Sequence, residues 1–136
     1  MSEINVTTTR PTVYKDLSLS LGMHPITNDV VTVTGEEAVK RAVKNLLMIQ
    51  CGEVPFLPNL GTRLNGLLFE PIDPITTALL KSEIRATIEA FEPRVNIVQL
   101  VITPSEDEHQ YEVNITFEVV NLPEPVTLTV FLTRLR

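Results

Sequence analysis

The sequence predicts an α+β fold of two layers, with helices packed on one face of an antiparallel sheet that ends in a C-terminal three-stranded meander. Three observations predict it. Apolar residues recur at helical spacing from Ala38 to Leu47, do so again from Ile75 to Phe91, and after Arg94 the period drops to two over three successive segments. With 136 residues the chain has room for one core, so residues 13–136 read as a single domain. Residues 1–12, with Thr7, Thr8, Thr9 and Pro11, carry no periodicity and read as a flexible N-terminal arm.

The elements follow in order. Leu17, Leu19 and Leu21 alternate with Ser18 and Ser20, and Val31 and Val33 alternate with Thr32 and Thr34, which marks two short strands. Thr34-Gly35-Glu36-Glu37 has the form of a capping box, so a helix is expected to start there. Its apolar stripe is Ala38, Val39, Ala42, Val43, Leu46 and Leu47. Glu36 with Lys40, and Glu37 with Arg41, fall four apart in the favourable orientation, which makes the basic cluster Lys40, Arg41 and Lys44 a solvated face.

From Cys51 to Asn59 the run Gly52, Pro55 and Pro58 forbids regular structure, and after Gly61 a short apolar turn passes through Leu64, Leu67 and Leu68. An ordered loop and a stub of helix are expected. Asp73-Pro74 is an N-cap followed by proline at the first helical position, and the helix it opens runs to about Phe91. Leu80, Ile84, Ile88 and Phe91 form its main stripe; Ile75, Leu79, Ala86 and Ala90 form a second. Two apolar faces predict two neighbours.

Pro93 cannot continue that helix and pushes Glu92 out of the helical region, so Glu92 and Arg94 stand on a rigid corner. The meander then begins. Val98, Leu100 and Ile102 share one side, a turn from Pro104 to Gln110 carries the acids Glu106, Asp107 and Glu108, and Tyr111, Val113, Ile115, Phe117 and Val119 form the second strand. Leu122-Pro123-Glu124-Pro125 turns the chain into Val126, Leu128, Val130 and Leu132.

Composition narrows the function. A net charge of -6 repels phosphate backbones, and the only basic grouping lies among acids, so no nucleic-acid partner is expected. No apolar run reaches the roughly 18–20 residues of a membrane helix, and the N-terminus carries Glu3 and no signal-peptide core. The single Cys51 excludes an internal disulfide framework and fits a reducing cytoplasm. Its neighbour Glu53 gives the thiol no reason to be reactive.

Chemistry is sparse. His24 and His109 sit in loops without a nucleophile motif, and with Cys51 they show no metal-ligand spacing. Five glycines make no phosphate-cradling loop, so no cofactor is expected. Glycoside hydrolysis stays open, since two carboxylates about 5–10 Å apart suffice and Glu53, Glu70 and Glu92 stand near turns. The absence of Trp removes the usual sugar-stacking platform.

One ordered combination is more specific. A capped helix, the loop residues Gly52, Pro55, Phe56, Pro58 and Gly61, the run Leu67-Leu68-Phe69-Glu70, the opening Asp73-Pro74 and then Glu92-Pro93-Arg94-Val95 together resemble the baseplate-wedge family of contractile phage tails, which includes the corresponding component of type VI secretion baseplates. The resemblance covers about Val13 to the C-terminus. It implies a non-enzymatic sheath initiator, assembled in the host cytoplasm into the virion tail baseplate. It further implies that Glu92, Pro93 and Arg94 contact the helical core bundle of larger wedge proteins, beside tube-side baseplate proteins. Tail sheath protein would add strands to the meander, whose last strand carries Val126, Leu128, Val130 and Leu132. Relatives often have basic residues where this loop has Gln50, Cys51 and Val54, so no partner contact in the loop is carried over. The family has also carried a lysozyme label. A peptidoglycan-cleaving glycosidase is therefore one alternative reading, and a generic strand-binding adaptor is another.

Overall fold

The computed structural model describes residues 14–105 and 109–133. The arm at 1–12 and the acidic tip at 106–108 lie outside the described residues. Strands β1 (Lys15–Leu17) and β2 (Thr32–Thr34) pair antiparallel, with Lys15 opposite Thr34. The predicted first strand is cut short at Leu17, because the chain turns back and Leu21 takes a left-handed φ of 49°. Leu19 and Leu21 are consequently exposed.

Helix α1 (Glu36–Met48) forms, but the capping box does not. Thr34 stays in the β1–β2 ladder, and the Gly35 N–H extends that ladder by donating to the Tyr14 carbonyl at 2.8 Å. Gly35, with φ 63°, becomes the N-cap and provides no side-chain bond. Lys40 reaches both Glu36, at 2.6 Å, and Glu37, at 3.5 Å. Arg41 therefore turns away from the expected Glu37 and donates to Ser18 Oγ at 3.2 Å.

After α1 the chain makes a closed loop, its neck held where Cys51 N–H donates to the Thr62 carbonyl and Thr62 N–H to the Ile49 carbonyl. The Thr62 hydroxyl, buried, donates to the Leu47 carbonyl at 3.2 Å. Helix α2 (Leu64–Leu68) is the expected stub. Helix α3 (Pro74–Phe91) opens as predicted, with Asp73 Oδ1 accepting from Thr76 N–H at 2.6 Å, a bond that holds the Asp73 carboxyl below its ordinary value.

Strands β3 (Val95–Ser105), β4 (Gln110–Val119) and β5 (Val126–Thr133) form an antiparallel sheet in the order β3-β4-β5. β4 alternates as predicted, with Tyr111, Val113, Ile115, Phe117 and Val119 all buried. β3 does not: its register slips between Ile97 and Gln99, so Val98 faces out while Val95 and Leu100 are buried. The core lies between one sheet face and the helices, where Phe117 and Ile115 join Val39, Val43, Leu80, Ile84 and Ile88 in one apolar cluster. Of the second α3 stripe, Ile75 is 71% and Leu79 50% exposed, and Ala86 and Ala90 are exposed too. Helix α3 has more than one neighbour, packing against β3, α1 and α2, but among the described residues none of them covers this second stripe.

Among the described residues one core group lacks a partner. The Tyr111 hydroxyl is buried without a hydrogen bond, and burial first, then the nearby Asp73 charge, pushes its pKa up. An unmade buried hydrogen bond costs about 1–3 kcal/mol, while the ring itself packs well. Tyr111→Phe is thus expected to stabilise the fold by roughly 1 kcal/mol in urea unfolding; a loss of similar size would show that the hydroxyl has a partner.

Candidate interaction surfaces

The corner after α3 is built by the backbone. Glu92 N–H still donates to the Ile88 carbonyl at 2.8 Å, Pro93 then blocks a further helical bond, and the Glu92 carbonyl accepts from Val95 N–H at 3.1 Å. Both charged side chains are held by this short reversal. They close on each other: Arg94 Nε donates to Glu92 Oε1 at 2.6 Å and Nη2 to Oε2 at 2.7 Å, a bidentate pair. The Glu92 side chain is only 9% exposed, while that of Arg94 keeps 32%.

Two residues outside the motif complete the corner. The Arg94 guanidinium lies 5.3 Å over the Tyr14 ring, and the Tyr14 hydroxyl donates to the Val120 carbonyl at 2.8 Å. Val120 N–H in turn donates to the Arg94 carbonyl at 2.9 Å. The corner thus ties the end of α3 to the start of β3, the exit of β4 and the approach to β1. Its hydrogen bond to Glu92 chiefly, against burial and with help from the Glu92 charge, holds Arg94 above its ordinary value. What it offers outward is a fixed guanidinium edge rather than two free charges. Sequence reasoning missed Tyr14, whose role depends on a contact between distant parts of the chain.

The second surface is the β5 side of the sheet. Val126, Val130 and Leu132 are buried and Leu128 half-buried, so the side chains singled out on this strand face the core. What β5 can offer beyond the chain is its backbone, together with the exposed Thr127, Thr129, Phe131 and Thr133. Beside its end a groove of about 210 Å³ is lined by Leu47, Met48, Leu68, Phe131 and Thr133. The opposite edge, β3, carries the Val98 bulge and Pro104, both of which disfavour an added strand. β5 has no proline, glycine or charge, and its register with β4 is unbroken.

The three carboxylates sit after three different helices. Glu53 accepts from Gln50 N–H at 3.1 Å, Glu70 lines a separate groove with Arg63 and Leu79, and Glu92 has both oxygens taken by Arg94. His24 accepts two weak backbone contacts at 3.4 Å in its own turn. Among the described residues no group of three or more His, Cys, Asp or Glu side chains is placed to hold a metal. No described helix is long and apolar enough to cross a membrane.

The family model described as baseplate wedge protein gp25 matches residues 33–123, a span that includes the closed loop, α3, the corner, β3 and β4. The chain belongs to the baseplate wedge protein gp25 family. The gp25 of Enterobacteria phage T4, itself a baseplate wedge protein, is 25% identical over 114 residues, covering 84% of this chain and 86% of that protein. A chain of the anti-feeding prophage baseplate, also 25% identical, superimposes with a TM-score of 0.72 over 82% of this chain and 89% of its own. A protein described as a putative tail lysozyme from Geobacter sulfurreducens, 20% identical, shares the α+β fold with a TM-score of 0.71 over 78% of this chain and 96% of its own. The chain is accordingly a structural baseplate wedge protein of a contractile-tail system, with other baseplate proteins as its partners. β5 lies beyond the span that the family model matches.

Proposed function

We propose that this baseplate wedge protein is a sheath initiator: its Glu92-Pro93-Arg94 corner seats it on larger wedge proteins, and its β5 edge accepts a strand from the tail sheath protein. The difference between the two sheet edges carries this reading. An exposed strand edge has a row of N–H and C=O groups that only another extended backbone can satisfy in full, and proteins blunt edges that must stay free. β3 is blunted by a bulge and a proline. β5 is not, and the groove at its end gives an incoming strand a place to bury an apolar side chain.

The two attachments differ in character. Arg94, paired and stacked, presents its remaining donors in one orientation, so the corner fixes position. Strand addition is read mainly through backbone and so tolerates sequence change along a repeating lattice. No catalytic role is assigned: with both Glu92 oxygens bound by Arg94, neither is free to protonate a glycosidic oxygen. Neither a cofactor nor a nucleic acid enters this reading, and the remaining contacts go to tube-side baseplate proteins.

Leu128→Lys tests the edge. The half-buried position lets a lysine reach solvent over β5, where an edge charge opposes strand addition. The variant is expected to enter baseplates at the parent level while the tails seen by electron microscopy lack sheath. Sheath of normal length on such particles would refute the assignment of β5.

A further inference from the structure

We infer that the segment following β5, Arg134-Leu135-Arg136, docks back on its own chain with Leu135 in the groove beside the end of that strand, and that an incoming sheath strand displaces it. The displacement rests on the β5 reading above; the docking stands without it. Leu47, Met48, Leu64, Leu68 and Leu132 make this groove of about 210 Å³ apolar, and among the described residues none of those lining it is charged. Its polar groups are engaged with one another or with backbone: Thr62 donates to the Leu47 carbonyl, and Asn65 Nδ2 donates to Gln50 Oε1 at 3.1 Å. Such a site suits an aliphatic side chain.

The course of the chain selects the occupant. Thr133 pairs with Gln110, the first residue of β4, and His109 before it turns away with a φ of 50°, so β4 offers no partner beyond Thr133. Thr133 itself lines the groove, and a smaller recess of about 90 Å³ between Asn65, Leu68, Phe69 and Thr133 continues it. Leu135 follows two residues later, within about 7 Å of chain, and is the one apolar side chain of the three. Arg134 and Arg136 flank it on stems long enough to keep their charges in water. Docking there also protects the edge. β5 carries no proline, glycine or charge along Val126–Thr133 to discourage premature pairing, whereas a segment held at its end does so until a strand competes for the same groove. The affinity of a subunit for that strand is then scaled by the fraction of subunits whose groove is empty.

Two measurements on the full chain test this. In the free subunit, nuclear Overhauser contacts are expected between the Leu135 methyls and those of Leu47, Met48 or Leu68, and mixing labelled with unlabelled subunits shows whether they arise within one chain. Absence of these contacts, or contacts only between two copies, overturns the docking. Leu135→Asp empties the groove while leaving the core untouched, so the melting curve is expected to change little. Purified sheath protein is expected to add to baseplates carrying this variant about fivefold faster or more. An unchanged or slower rate overturns the displacement. Leu128→Lys then separates the two readings: if it still leaves tails without sheath, the β5 assignment survives the loss of this inference, and if it too carries normal sheath, both fall.

Discussion

Arg94→Ala is expected to destabilise the free subunit by about 2–3 kcal/mol and to remove it from baseplates. The reason is the partner left behind. Glu92 keeps only 9% of its side chain exposed, and without the guanidinium its carboxylate is a nearly buried, uncompensated charge. Breaking a fully buried pair typically costs about 3–5 kcal/mol, but Arg94 is a third exposed, so solvent already screens part of the interaction and the smaller figure applies. The lost contact with the Tyr14 ring adds to the effect. Changing both partners, Glu92→Gln with Arg94→Ala, removes the stranded charge and is expected to recover much of the stability without restoring assembly. Urea unfolding of the four members of this cycle measures the coupling directly. If Glu92→Gln instead assembled normally and abolished a peptidoglycan-cleaving activity, the glycosidase alternative would stand.

Gly61→Ala is expected to be at least as damaging. A Cβ there would lie 2.5 Å from the Ile49 carbonyl oxygen and 2.9 Å from its carbon, both backbone atoms that cannot swing aside. The backbone φ of +109° is also one that L side chains rarely adopt. Either effect alone costs on the order of 1–3 kcal/mol, and here they fall on the neck that pairs Gln50 with Thr62 and leads into α2. A large drop in Tm and loss of exchange protection at the Cys51 and Thr62 amides are the expected results. Gly66→Ala is the control: it lies in α2 with nothing within 4 Å of the added Cβ, so it is expected to be neutral or mildly stabilising. Parent-like melting of Gly61→Ala would mean that the loop neck is far softer than its geometry states.

Local signals in the sequence were legible where one rule acted alone. Asp73-Pro74 fixes the start of α3 because cap and proline act within one turn, and β4 alternates from Tyr111 to Val119 because only one face of its sheet packs on the helices. Competition hid the rest. Thr34 has the chemistry of an N-cap, but its place in a strand ladder outweighed it. Val98 fits an alternating strand, yet the bulge that displaces it is set by pairing with β4, which no local pattern encodes. Glu92 and Arg94 were visible as opposite charges on a fixed corner, whereas their mutual pairing and the Tyr14 ring beneath them depend on a fold that brings residues 14, 94 and 120 together. The second α3 stripe was legible as an apolar face, and it is left exposed among the described residues.

An electron-microscopy map of the intact baseplate at side-chain resolution tests the central claim most directly. The expected map shows a strand from the sheath protein hydrogen-bonded along Val126–Thr133, with the Arg94 corner set against a larger wedge subunit. A map in which the added strand runs along Val95–Ser105, or in which β5 is left bare beneath an assembled sheath, would contradict it.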